Sequence, residues 1–346
     1  MIKGCILPWM HLYSTVDGKF NLCCHINTRE DNAIATYKDD ISSIFNNEKY
    51  KKVRQDFLNN NPPSVCKKTC YDVEKLGGIS NRIQVNQRFE KYKKLQDFTN
   101  KDGSVKNAPF YLDIRFGNKC NFKCRICSPY SSSTWFKDAR KISEFKDSPT
   151  QLEDYYTDNK DFWLYLNKIK KSLKYFYFAG GEPLIMDGHY KLLQWLIDNN
   201  KTDVELTYNT NLSTLKYKNY NVFEMWKHFD NISLWPSIDG FKQYCAYSRT
   251  NFSWEEFEKN LNLVDKYVNT VSCALSLYSV SSTPELILYL NSKNISTYLS
   301  IVTSPSYLDC RVLPTFFKNK VISKYELILK KLILNDFETD NIKKNY

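Results

Sequence analysis

"FYLDIRFGNKCNFKCRIC", Phe110 to Cys127, decides how the chain is read. Its first seven residues are a short β-rich run. Cys120, Cys124 and Cys127 follow directly, spaced Cys-x3-Cys-x2-Cys, with no fourth cysteine nearby. Three thiolates can hold three irons of a [4Fe–4S] cube and leave one iron open to a ligand. Ferredoxin-type carriers ligate every iron. Zinc usually takes two matching pairs of ligands, and cysteines that merely fill a core have no reason to cluster in a loop.

Outward from this stretch, short β-rich runs alternate with helical spacing. The strands expected are "FYLDIRF", "YFYFA", "VELTYN", "ISLWPSI", "VSCALSLY" and "TYLSIVT". Segments such as "GHYKLLQWLIDNN" and "SWEEFEKNLNLVDKYV" supply the helices between them. This alternation predicts an α/β fold, a partial (β/α)6 barrel of the TIM type, with a doubly wound sheet as the alternative. In either fold, ligands sit at the C-terminal ends of the strands. The expected division is a cysteine-rich α+β module over residues 1–108, the barrel over 109–310 and a helical extension over 311–346.

The bulk numbers restrict the rest. The chain has 346 residues, 42% of them hydrophobic, enough for a large domain plus a smaller module. No run approaches about 18 apolar residues, so no membrane span is expected. His11 and Asp17 interrupt any signal-peptide pattern, and a cytoplasmic location is expected. Disulfides are rare there, which turns the 11 cysteines toward metal or thiol chemistry. The net charge of +11 is scattered and forms no single basic stripe, so nucleic-acid binding is not expected.

The strand ends carry the remaining candidates. "YFYFA" runs into Gly180, Gly181, Glu182 and Pro183, where glycines let backbone approach a ligand. "VELTYN" ends at Asn209 and Asn211, short polar groups suited to ribose hydroxyls and equally to a turn. "ISLWPSI" ends at Ser237 and Asp239, which alternate onto one face. Arg249 follows. Cys245, Cys273 and Cys310 stand singly and are read as structural thiols.

Five more cysteines lie before the barrel, four of which can form one site. "DG" at 17 and 18 signals a hairpin that folds Cys5 toward Cys23. Cys23 and Cys24 are adjacent in a strand and face opposite ways, so one of them, preferably Cys23, can ligate. Cys66 and Cys70 are one helical turn apart. The four make a closed site for an iron–sulfur cluster or for tetrahedral zinc.

The series "CNFKCRIC", "GGEP", "YNTN", "SIDG" and "YSRTNFSWEEFEKN" resembles the radical S-adenosylmethionine (SAM) superfamily over about 200 residues. Ile126 stands where many members carry an aromatic residue. The resemblance implies a [4Fe–4S] cluster on Cys120, Cys124 and Cys127 with SAM on the open iron. Gly180 and Gly181 would meet the SAM amino group, and Glu182 would shape that loop. Asn209 and Asn211 would serve the ribose, and Arg249 with Ser237 the carboxylate. Asp239 is a candidate for a catalytic role. Cys5, Cys23, Cys66 and Cys70 resemble the auxiliary-cluster module called SPASM, or its shorter form twitch, which in familiar members follows the barrel and here precedes it. An external electron donor such as flavodoxin or ferredoxin is implied, with a peptide, protein or sugar-like small molecule as substrate. The C-terminal "KKNY" argues against the molybdenum-cofactor branch, which ends in Gly-Gly. The rival reading is a non-catalytic zinc or iron–sulfur module that contacts nucleic acid.

Overall fold

The computed structural model describes residues 2–26 and 33–334. They form two compact units. The first holds residues 2–117, 153–180 and 187–206, and the second holds 118–152, 181–186 and 207–334.

The first unit is built on a mixed sheet. Its strands lie in the order Tyr175–Phe178, Tyr111–Ile114, His11–Ser14, Lys19–Asn21 and Ala35–Thr36. The first two pairings are parallel and the last two antiparallel. The expected hairpin is therefore present, and its first strand also lies parallel to Tyr111–Ile114, with His11 opposite Tyr111 and Tyr13 opposite Asp113. That register puts aromatic side chains on one face. The His11 and Tyr111 rings are 4.5 Å apart, and Phe89 packs on both Tyr111 and Tyr175. Asp113 is buried among them and survives there because Arg115 pairs with both its oxygens, at 2.9 and 3.2 Å.

Helices cover this sheet with apolar stripes at helical spacing. Lys160–Ile169 buries Phe162, Tyr165, Leu166 and Ile169, and Asn159 caps it by accepting the Phe162 N–H. The stretch from Asp39 to Asn60 reads as one helix and folds as two, Ile41–Ile44 and Glu48–Leu58. Asn47 interrupts it, because its side chain caps the second helix by accepting the Tyr50 N–H. "NPPS", residues 61–64, ends that helix. Beyond it, Lys67–Tyr71 forms a π-helical turn between Cys66 and the helix Asp72–Lys75. Such turns recur at functional sites.

The strand Glu205–Thr210 begins in the first unit and ends in the second. In the second unit, Ile232–Pro236 is followed by Ser237, whose N–H bonds to the Thr210 carbonyl and which bridges in parallel to Ser272. Thr270–Leu275 and Ser296–Ile301 pair in parallel, with the helix Thr283–Asn291 between them in sequence. A two-residue antiparallel ribbon joins Lys123–Cys124 to Arg249–Thr250. Trp254–Val264 is capped by Ser253 and buries Trp254, Phe257, Leu261 and Val264. Each of the six strands expected from Phe110 onward is present, and the fold is mixed α/β with parallel strand pairs. The helical extension runs over Thr315–Leu334, and the rest of the expected 311–346 segment lies outside the described residues. Among the described residues, no helix is long and apolar enough to cross a membrane.

Candidate iron–sulfur sites

The second unit gathers most of the strand-end candidates. Cys120, Cys124 and Cys127 lie in one loop that hydrogen bonds keep folded on itself. The Cys120 N–H donates to Ser133 Oγ at 3.2 Å, the Phe122 N–H to Cys120 Sγ at 3.4 Å and the Cys127 N–H to the Cys124 carbonyl at 3.0 Å. Trp135 Nε1 donates to the same carbonyl at 3.2 Å. Burial pushes the Cys120 thiol up to about 12, with the nearby Glu182 carboxylate adding to the effect. Burial likewise raises Cys127 to about 12. For Cys124, burial acts upward and the Arg249 guanidinium downward. These thiols are neutral until a metal displaces their protons.

Glu182 is 1% exposed. Its carboxylate accepts from the Leu184 N–H at 3.0 Å, Thr210 Oγ1 at 2.7 Å and the Asn211 N–H at 2.6 Å. Burial raises its pKa, and these three donors oppose the rise. The Thr210 and Asn211 bonds tie two strand ends together, and the Leu184 bond folds the loop on itself. The side chain is thus a brace, and its partner Thr210 was not singled out from the sequence. Gly181 has a steric reason: a Cβ there would stand 2.2 Å from the Lys119 carbonyl. Gly180 belongs to the first unit, against the Gly117 carbonyl.

The two asparagines differ. Asn211 is committed to the chain, donating to Asn121 Oδ1 at 2.9 Å and accepting from the Ser213 N–H at 2.9 Å. Asn209 Oδ1 is buried with no hydrogen-bond partner. A buried polar atom in that state calls for a ligand or water. Asp239 is fully buried, with Oδ1 accepting from the Ala274 N–H at 2.8 Å and Oδ2 2.8 Å from Arg249 Nε. Arg249 Nη1 reaches Cys124 Sγ at 3.8 Å. Ser237 uses its backbone in the sheet and stands in the same unit. Cys245 and Cys273 are fully buried and Cys310 is half-buried.

The first unit holds the other four. Cys5, Cys23, Cys66 and Cys70 line one cavity of about 30 Å³, together with Leu7, Leu22, Phe57 and Arg82. Cys24 does not line it. The sheet hairpin brings Cys23, the short helix Ser64–Cys66 and the π-helical turn after it bring Cys66 and Cys70, and the extended N-terminal segment brings Cys5. That segment is fastened to the helix Asn81–Arg88: the Gly4 carbonyl accepts from Arg82 Nη1 at 3.0 Å and Asn86 Nδ2 at 2.9 Å, and the Ile6 N–H donates to Asn86 Oδ1 at 3.0 Å. Gly4 adopts a φ of +64°, and a Cβ would stand 2.1 Å from the Phe57 ring. Burial pushes Cys5 up to about 12, and the neighbouring Cys66 and Cys70 charges add to the rise. Burial also lifts Cys23, and lifts Cys66 to about 12. Arg82 lies at the cavity wall, itself held by Glu74, and nothing in the sequence marked it.

All cysteines are free thiols. Among the described residues no group of three or more His, Cys, Asp or Glu is arranged to hold a single metal ion. Both donor sets consist of soft thiols alone, which fit iron–sulfur clusters. The orphaned Asn209 Oδ1, in the same unit as the three-cysteine loop, fits a ligand with hydroxyl groups.

These features fit an iron–sulfur protein, and comparisons with known proteins bear on that reading. Residues 5–71 match the SPASM family, described as an iron–sulfur cluster-binding domain. The chain is 28% identical over 124 residues to the GTP 3′,8-cyclase of Campylobacter lari, covering 36% of this chain and 34% of that protein. The alignment thus spans about a third of the curated relative's length. Among solved structures, Streptococcus suis SuiB bound to its precursor peptide SuiA is similar at 14% identity and a TM-score of 0.44, over 82% of this chain and 64% of that one. SuiB bound to S-adenosylmethionine gives 11% identity and a TM-score of 0.39, over 84% and 62%. The SPASM match and the cyclase alignment support one class for the chain: a radical SAM protein with a SPASM module.

Proposed function

We propose that this chain is a radical SAM enzyme that cleaves S-adenosylmethionine reductively and abstracts hydrogen from a peptide, protein or sugar-like small molecule. A [4Fe–4S] cluster bound by Cys120, Cys124 and Cys127 would supply the electron that splits SAM into methionine and a 5′-deoxyadenosyl radical. An external donor of the flavodoxin or ferredoxin class would provide that electron. We read the parallel strands from Tyr111 to Ile301 as a partial (β/α)6 barrel, preceded by the auxiliary module over 1–108 and followed by the 311–346 extension.

The observation that carries the reading is the three-thiol loop, set in one unit with a braced Glu182 and the unpartnered Asn209 Oδ1. The chain's own residues have distinct tasks. Gly181 lets backbone come close to the SAM amino group. Asn209 accepts from a ribose hydroxyl. Glu182 holds two strand ends at a fixed spacing, and Asn211 holds the cysteine loop through Asn121. Ser237, Asp239 and Arg249 would complete the cofactor pocket. Cys5, Cys23, Cys66 and Cys70 hold a second, closed cluster, in a cavity with little room for a further ligand.

The test is anaerobic. Reduced, iron-loaded protein given SAM should release 5′-deoxyadenosine, and Cys124→Ala should release none. Equal release from that variant refutes the ligand assignment, and protein that takes up zinc but no iron refutes the enzyme. Deuterium from a labelled substrate should then appear in 5′-deoxyadenosine, which identifies the hydrogen donor.

A further inference from the structure

Arg249 has two partners that tie it to the loop more closely than to any open space. Its backbone pairs directly opposite Cys124 in the short antiparallel ribbon. The Arg125 N–H extends that ribbon by donating to the Ser248 carbonyl at 2.9 Å. Its side chain turns back on the same cysteine, with Nη1 3.8 Å from Cys124 Sγ. On the far side Nε lies 2.8 Å from Asp239 Oδ2. Asp239 is immobile in turn, because the Ala274 N–H holds its other oxygen at 2.8 Å. Arg249 is 9% exposed and Asp239 fully buried, so water screens the pair little. Arg125, the other arginine of the loop, is committed elsewhere. Its Nε donates to the Tyr247 carbonyl at 2.8 Å and its guanidinium lies 4.1 Å from the Tyr247 ring centroid.

We propose that Arg249 acts on the bound cluster itself, donating Nη1–H to the Cys124 thiolate, and that Asp239 is the positioning residue that aims it. This rests on the reading that the loop holds an iron–sulfur cluster. A donor and a positive charge at a ligating sulfur stabilise the more negative, reduced form, and so raise the reduction potential. Arg249 thereby sets how strong an electron donor the cluster needs, before SAM binds. Asp239 acts on the cluster through Arg249, and its role is to fix the angle of the guanidinium fork.

The experiment uses the full chain, iron-loaded, without SAM, and reads the cluster by paramagnetic resonance. In wild type carrying arginine labelled with nitrogen-15 in the guanidinium, the reduced cluster should show coupling to that nitrogen. This reading needs no variant to fold, and absence of coupling overturns the proposal. Arg249→Gln should lose the coupling and make the one-electron couple about tenfold harder to reduce, a downward shift of 59 mV. Asp239→Asn should shift it the same way by less, and Arg249→Lys should restore part of the difference. A potential unchanged in Arg249→Gln, with only SAM affinity lost, overturns the proposal and leaves Arg249 as a carboxylate ligand alone. Wild type that binds no iron overturns the underlying cluster reading, which iron analysis of the same sample distinguishes.

Discussion

The three-cysteine loop and the four-cysteine cavity are built in opposite ways. Cys120, Cys124 and Cys127 come from eight consecutive residues, and local bonds such as Cys127 N–H to the Cys124 carbonyl shape them. Cys5, Cys23, Cys66 and Cys70 come from three distant segments, fastened by long-range bonds such as Arg82 to Gly4. Around the loop stand a buried carboxylate, a buried ion pair and a polar atom without a partner. Around the cavity stand mostly apolar side chains, with Asn81 and Arg82. The difference teaches what each can do. A local loop with polar surroundings can keep a ligand position and bind a second molecule. A site assembled from distant segments staples a fold, because binding there counts as folding free energy.

The largest expected effect breaks the comparison on the loop side. Cys124→Ala should abolish SAM cleavage while the first unit keeps its cluster, so that iron falls by about half from the roughly eight per chain of two [4Fe–4S] clusters. Next comes Cys66→Ser. It should remove the other cluster and lower the melting temperature markedly, since it opens the staple. Loss of SAM cleavage without loss of stability would reverse the two roles. Glu182→Gln should then cost about 1–3 kcal/mol in a denaturant titration, because one of three buried donors loses its acceptor. A variant as stable as wild type would show that the brace does not hold the strand ends.

Acid sharpens the first unit's side of the contrast. Burial lowers His189 from 6.5 to about 3. Between those values the unfolded chain binds the extra proton and the folded chain does not. Stability therefore falls as pH drops below 6.5, by about 1.4 kcal/mol per unit. His189→Leu should flatten that slope, and an unchanged slope contradicts the assignment. The smallest effect belongs to Cys24→Ser. Cys24 is outside the cavity, so iron content should stay constant and stability within about 0.5 kcal/mol. Loss of iron in that variant would exchange Cys24 for Cys23 as the ligand.

The sequence made the strands legible where apolar and aromatic runs were long, and the cysteines legible where their spacing was local. It hid whatever depends on pairing across strands. Asp113 and Arg115 sit in "FYLDIRF" two residues apart, yet their ion pair needs a buried sheet face that also carries His11 and Tyr13. Asp239 and Arg249 are ten residues apart, and only the ribbon that seats Arg249 opposite Cys124 brings the guanidinium between carboxylate and sulfur. Asn209 and Asn211 look alike in "YNTN", and only the neighbouring Asn121 and Ser213 separate the committed one from the unpartnered one. Helix breaks followed the same rule: Asn47 reads as one polar residue among many until its side chain caps the second helix.

The contrast between an open and a closed cluster is tested most directly by adding SAM to the reduced protein and following both clusters by paramagnetic resonance. The account predicts two signals, one altered by SAM and absent from Cys124→Ala, the other indifferent to SAM and absent from Cys66→Ser. A single signal, or two that SAM leaves unchanged, would contradict it.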